Sequence, residues 1–107
     1  MEIKSITVQQ LKEMMDNKED FHLIDVREQH EYDLVNLNAE LIPVSLVPGK
    51  LDMFERDGKI IVHCRSGARS ANVISQIQQL RGVDNLYNLN GGILAWAKEI
   101  DTSLPTY

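Results

Sequence analysis

The chain has 107 residues, a formal net charge of −5 and a single cysteine. A chain of this length buries about two-thirds of its unfolded surface in one core, so residues 1–107 are read as one domain. The acidic balance argues against nucleic acid, whose phosphates need a basic face, and no apolar run approaches the roughly 20 residues of a membrane helix. One cysteine excludes an internal disulfide, and with no signal peptide at Met1-Glu2-Ile3-Lys4 the expected compartment is the reducing cytoplasm.

A short apolar stretch opens the chain at Ile6. Thr7 with Gln10 forms a capping-box pattern for a helix that carries Val8, Leu11, Met14 and Met15 and ends near Asn17. The methionines share a stripe with Leu11 and are read as core filler. Residues 21–26 are a strand ending in a charged turn at Arg27-Glu28, with His22 alternating outward to solvent. Residues 28–34 form a short helix, and residues 40–43 a brief strand that Pro43 stops. Residues 44–54 hold Val44, Leu46, Val47, Leu51, Met53 and Phe54 and are expected to be helical, with Pro48 in a first turn. Asp57-Gly58 then turns the chain into a central strand.

That strand carries Ile60, Ile61 and Val62, a β-branched run suited to a strand covered on both faces of a parallel sheet. From Ala68, helical spacing runs through Ala71, Val73, Ile74, Ile77 and Leu80, with Gly82 as a C-terminal stop. Residues 85–89 supply a fifth strand, and Asn90-Gly91-Gly92 turns into a last helix bearing Ile93, Leu94, Trp96 and Ala97, anchored by Trp96. Alternating strands and helices predict an α/β fold, a parallel sheet with helices on both faces and right-handed crossovers.

Cys64 falls just beyond the central strand, in the loop that feeds a helix N-terminus. Ligands of open α/β sheets gather there, and unpaired N–H groups favour anions. Such a setting lowers a thiol's pKa. Arg65 and Arg69 bracket the turn, Gly67 lets the backbone curl around a bound atom, and Ser66 and Ser70 can donate or cap. The plain alternative is an inert thiol at a strand end, but an inert thiol needs neither two arginines nor a glycine turn.

Cys64-Arg65-Ser66-Gly67-Ala68-Arg69-Ser70 resembles the active-site loop of rhodanese-type sulfurtransferases, in which the cysteine accepts a sulfane sulfur as a persulfide. Leu23-Ile24-Asp25-Val26-Arg27-Glu28 with Glu31-Tyr32 resembles that family's amino-terminal signature. Leu89-Asn90-Gly91-Gly92-Ile93-Leu94-Ala95-Trp96 resembles its carboxyl-terminal one. A narrower likeness, carried by residues 96–101 and Pro105-Thr106-Tyr107, is to the rhodanese domain of E1-like adenylyltransferases that activate ubiquitin-like sulfur carriers. The resemblance implies the five-stranded rhodanese sheet and a sulfurtransferase with Cys64 as the catalytic residue. Arg65, Ser66, Gly67, Ala68, Arg69 and Ser70 would form its anion-binding loop; the position of Arg69 at the loop's far end suits it to orient an anionic donor or to stabilise the outgoing group's charge. Asp25 and Arg27 would support the loop, Arg27 pairing with Glu31. It implies no cofactor; the donor would be thiosulfate or a cysteine desulfurase persulfide, and the acceptor a thiophile or a sulfur carrier. One segment departs: Val35-Asn36-Leu37-Asn38-Ala39-Glu40 stands where many members carry Gly-His-Ile, so His30 receives no role by analogy.

A cysteine phosphatase or arsenate reductase is the chemical rival, but those enzymes place five residues between cysteine and arginine where this chain has four. A shorter loop makes a smaller nest, suited to one sulfur. The rival of another class is a non-catalytic binding module, which typically lacks the cysteine kept here. His63-Cys64 lacks the four-ligand spacing of a zinc site. With every segment assigned to sheet or helix, no inserted lid remains, and an exposed nest serving as a relay between two proteins is expected.

Overall fold

Residues 2–107 are described by a computed structural model. Five parallel strands run β1 (Lys4–Ile6), β2 (Phe21–Asp25), β3 (Glu40–Leu41), β4 (Lys59–His63) and β5 (Leu86–Leu89), in the spatial order β1-β5-β4-β2-β3. Helices α1 (Val8–Asp16), α2 (Gln29–Leu34), α3 (Ala68–Arg81) and α4 (Gly92–Glu99) alternate with them. Period-two alternation in β4 divides the core. Ile60 and Val62 join Val73, Ile74 and Ile77 of α3 together with Phe54 on one face. Ile61 joins Val8 and Leu11 of α1 and Trp96 of α4 on the other.

The expected capping box forms, Gln10 N–H donating to Thr7 Oγ1 at 3.1 Å and Thr7 N–H to Gln10 Oε1 at 2.8 Å. Met14 is buried beside Leu11, and Met15 packs against the same cluster. Gly82 ends α3 at φ +66°, its N–H bonding the Gln78 carbonyl.

Three local expectations are corrected. Residues Val44–Phe54 are not α-helical but two merged 3₁₀ pieces kinked at Lys50, where Pro48 withholds a donor and Gly49 adds backbone freedom. Leu80 is 69% exposed while Gln78 is buried, because the buried stripe of α3 runs through Val73, Ile74 and Ile77 and leaves Leu80 outside it. His22 is half-buried rather than solvated, since β4 pairs with it at Ile60, while β3 reaches only Ile24 and Asp25 and leaves its other side unpaired.

From β2 the chain moves outward to β3; from β4 it moves the opposite way to β5. The carboxyl ends of β2 and β4 therefore flank the sheet's switch point, the crevice where open α/β sheets bind ligands. Asp25, Arg27 and Cys64 meet there because Val26 N–H bonds the His63 carbonyl at 3.0 Å.

Candidate active site

β4 delivers Cys64 to the crevice, and Gly67, at φ +110°, turns the chain back into α3. A side chain at that φ would be strained. The curl aims Gly67 N–H at the sulfur, 3.1 Å away, with the N–H groups of Ser66 and Ser70 also directed at it. Burial pushes the Cys64 thiol up, but the Ser70 hydroxyl, when its proton turns to the sulfur, and these three N–H groups outweigh it, and the net shift is downward. Ser70 Oγ lies 3.4 Å from Sγ and 2.5 Å from Asn88 Oδ1. A hydroxyl has one proton. The shorter approach claims it, so the backbone donors are the ones already fixed on the sulfur before any charge develops.

The loop is held from β5 and α4. Asn88 Nδ2 donates to the Gly67 carbonyl at 3.1 Å, and Ile93 and Leu94 N–H donate to the Cys64 and Arg65 carbonyls at 3.0 and 3.1 Å. The Gly91-Gly92 turn is thus a backbone clamp on the cysteine loop.

Behind the sulfur lies a buried ionic layer. Arg27, wholly buried, grips Asp25 through Nε (3.0 Å to Oδ1) and Nη2 (2.8 Å to Oδ2) and reaches the carbonyls of Val35 and Glu31. Desolvation opposes its charge, yet the bonds to Asp25 and Tyr107 raise its pKa further. The expected Arg27–Glu31 side-chain pair does not form. Glu31 instead receives the fork of Arg69 at 2.7 and 2.9 Å, because Asp25, two residues before Arg27, already satisfies the buried guanidinium. That fork holds the Glu31 carboxyl far below the usual carboxylate range, and Arg69 is raised in turn. Arg69 therefore faces a carboxylate rather than standing free for an anionic donor. Arg65 is the loop arginine with no ion pair among the described residues, and its Nε is buried without a partner.

Sequence reasoning missed three residues. His63 is fully buried, its Nδ1 3.2 Å from the Cys64 carbonyl, and desolvation lowers its pKa so that it stays neutral. Nothing but its place next to Cys64 marked it. Asn88 had a signal, a polar residue inside the apolar run of β5. Tyr107 had none in spacing: its hydroxyl donates to Glu31 Oε2 at 2.7 Å and accepts from Arg27 Nη1 at 2.8 Å, and Arg65 lies over its ring at 4.9 Å. Cys64 itself is 1% exposed, so the open nest expected from sequence is instead a sulfur at the floor of its loop. The donors that curl round it also cover it.

Comparison with known proteins agrees with this geometry. The rhodanese-like domain family matches residues 7–99. The chain belongs to that family. It is 33% identical over 106 residues to the protein named "Probable adenylyltransferase/sulfurtransferase MoeZ" of Mycobacterium tuberculosis, covering 96% of this chain but only 27% of that relative's length. It is 31% identical over 97 residues to the protein named "Sulfurtransferase" of Allochromatium vinosum, covering 90% of each. Among solved structures, a rhodanese-like domain protein from Staphylococcus aureus superposes with a TM-score of 0.79 at 31% identity, covering 98% of this chain and 99% of that one. No group of metal-binding side chains occurs among the described residues, and no helix in them is long and apolar enough to cross a membrane.

Proposed function

We propose that the protein is a sulfurtransferase working through a persulfide on Cys64, in the cytoplasm. The observation that carries this is the set of backbone N–H donors converging on Sγ, which stabilises a thiolate and then a persulfide anion alike. The thiolate attacks the sulfane sulfur of the donor. With thiosulfate, the S–S bond breaks, sulfite leaves with the electron pair, and Cys64–S–S⁻ remains. An acceptor nucleophile then attacks the outer sulfur, and the Cys64 thiolate is regenerated.

A disulfide bond is about 2.05 Å long, so the added sulfur stands that much nearer the mouth than the buried Sγ. The four-residue spacing between Cys64 and Arg69 and the Glu31 carboxylate facing Arg69 disfavour the phosphatase reading, since a phosphate would meet that carboxylate. The physiological partners we infer are a persulfide-bearing donor protein and a sulfur-carrier acceptor, on the likeness of residues 96–101 and Pro105-Thr106-Tyr107 to the rhodanese domains of carrier-activating adenylyltransferases. Mass spectrometry after incubation with thiosulfate or a persulfidated desulfurase should show one added sulfur on Cys64 that cyanide removes as thiocyanate. Cys64→Ser should show neither; thiocyanate formation that persists in Cys64→Ser overturns the assignment.

A further inference from the structure

Tyr107 lies outside the three signature motifs, yet it touches Glu31, Arg27 and the loop arginine Arg65. Its hydroxyl is held on both sides, donating to Glu31 Oε2 at 2.7 Å and accepting from Arg27 Nη1 at 2.8 Å. Glu31 is itself fixed by Glu28 N–H at 3.0 Å and by the Arg69 fork. The ring is therefore pinned to the rigid ionic layer behind the loop. Against it lies the guanidinium of Arg65, with Cζ 4.9 Å from the centroid, inside the range of a cation–π contact.

No other polar contact holds the Arg65 guanidinium among the described residues. Its backbone is clamped, since Leu94 N–H bonds its carbonyl, but its side chain forms no hydrogen bond or ion pair among the described residues. A guanidinium on a free stem samples many rotamers and loses that freedom when an anion arrives. Stacked on a pinned aromatic ring, it is placed beforehand. It also keeps its full charge, since an aromatic face attracts a cation without neutralising it, whereas the Arg69 charge is met by Glu31.

We propose that Tyr107 is a positioning residue for anion capture, its ring holding the guanidinium of Arg65, the residue next to Cys64, and its hydroxyl fastening that ring to Glu31 and Arg27. The consequence for turnover rests on the sulfur-transfer reading of Cys64: an anionic sulfane donor is drawn to the thiolate by Arg65 as Tyr107 holds it.

The test does not depend on sulfur transfer. Cys64 is the sole thiol, so its alkylation by iodoacetate, an anion, and by iodoacetamide, neutral and of similar size, can be timed separately in the full chain. Their rate ratio reports the positive potential at the sulfur; a change in thiol pKa or access moves both rates and largely cancels. Tyr107→Leu should lower the ratio by roughly threefold to tenfold, the scale of a lost cation–π contact. Tyr107→Phe, which keeps the ring and loses its fastening, should fall between wild type and Tyr107→Leu. Arg65→Met should lower the ratio at least as far, and Tyr107→Leu added to Arg65→Met should lower it no further. Melting curves establish that each variant is folded, and Tyr107→Phe carries the test if Tyr107→Leu is not.

An unchanged ratio in folded Tyr107→Leu, or in Tyr107→Phe where that variant stands in, overturns the proposal. So does a further fall when Tyr107→Leu is added to Arg65→Met. Should wild type show the ratio pattern yet fail to move sulfur from any donor, the positioning role stands and the proposed function falls.

Discussion

A β-carbon on Gly92 would lie 2.5 Å from the Cys64 carbonyl oxygen, a distance that no side chain tolerates without moving one of the two backbones. The same carbonyl accepts the Ile93 N–H, so the start of α4 and the end of β4 are locked face to face. Gly92 also sits at φ +58°, a left-handed conformation that side chains disfavour.

Gly92→Ala should therefore shift the loop itself. We expect a loss of about 1–3 kcal/mol from overpacking and strain, and a fall in kcat/KM of about 100-fold for a displacement near 1 Å. Gly58→Ala is the control: its φ of +84° carries the same strain, but nothing lies within 4 Å of its added carbon. Urea unfolding and thiocyanate release should show both variants weakened and only Gly92→Ala slowed.

Arg27 and Asp25 are wholly buried and bound to one another through three side-chain contacts. Removing the cation leaves an uncompensated carboxylate in a dry layer, at a cost of about 3–5 kcal/mol. Arg27→Met should lose that much by denaturant unfolding, and the double variant Arg27→Met with Asp25→Asn should regain part of it. Equal stability of the single and double variants would mean that the pair is not the source.

The parts of this architecture written in local spacing were readable before the structure. The Thr7–Gln10 capping box, the β-branched run of β4 and the apolar stripe of α3 each declare themselves within a few residues. The 3₁₀ character of residues 44–54 did not, because the kink at Lys50 leaves two pieces of about two turns or fewer, too short for a period of 3.0 to be told from one of 3.6. The partners of the buried charges were harder still. Arg27 chose Asp25 over Glu31, and Glu31 chose Arg69, 38 positions away. No periodicity links such residues; they meet because β2 and β4 end at one switch point. Tyr107 joins the site by folding back from 76 positions beyond Glu31, a relation that only the tertiary structure creates.

Two pH dependences follow from the site with opposite consequences. The Cys64 thiol is shifted below its ordinary value, so its alkylation by iodoacetamide should be half-maximal below the pH at which a free thiol, near about 8.5, titrates. The Glu31 carboxyl is lowered chiefly by the Arg69 fork, so its folded pKa lies under its unfolded one. Its contribution to stability is present above the unfolded carboxylate pKa, about 4.3, and is lost as pH falls towards the folded value. Glu31→Gln should be less stable than wild type at neutral pH and converge on it in acid. Because Arg69 is partly exposed to solvent, we expect a neutral-pH difference of only about 1–2 kcal/mol. Parallel stability curves across that range would exclude the Glu31–Arg69 pair as the cause.

The burial of Cys64 bears on which donor serves it best. A sulfur at the floor of a narrow loop, 1% exposed, meets only what can be presented end-on. A persulfide carried on a mobile protein loop is thin enough, arrives already aligned, and adds the binding energy of its own surface to the transfer, energy that a small anion lacks. A shallow groove of about 300 Å³ lined by Leu94, Lys98, Thr106 and Tyr107 adjoins the site through Tyr107 and offers such a donor both apolar contact and a cation. We therefore expect a persulfidated desulfurase to load Cys64 with a higher kcat/KM than thiosulfate does, and Lys98→Glu to weaken loading by an acidic protein donor several-fold while leaving iodoacetamide alkylation unchanged. If thiosulfate is the better substrate by kcat/KM and no desulfurase loads Cys64, the protein works on the small molecule and the relay is wrong.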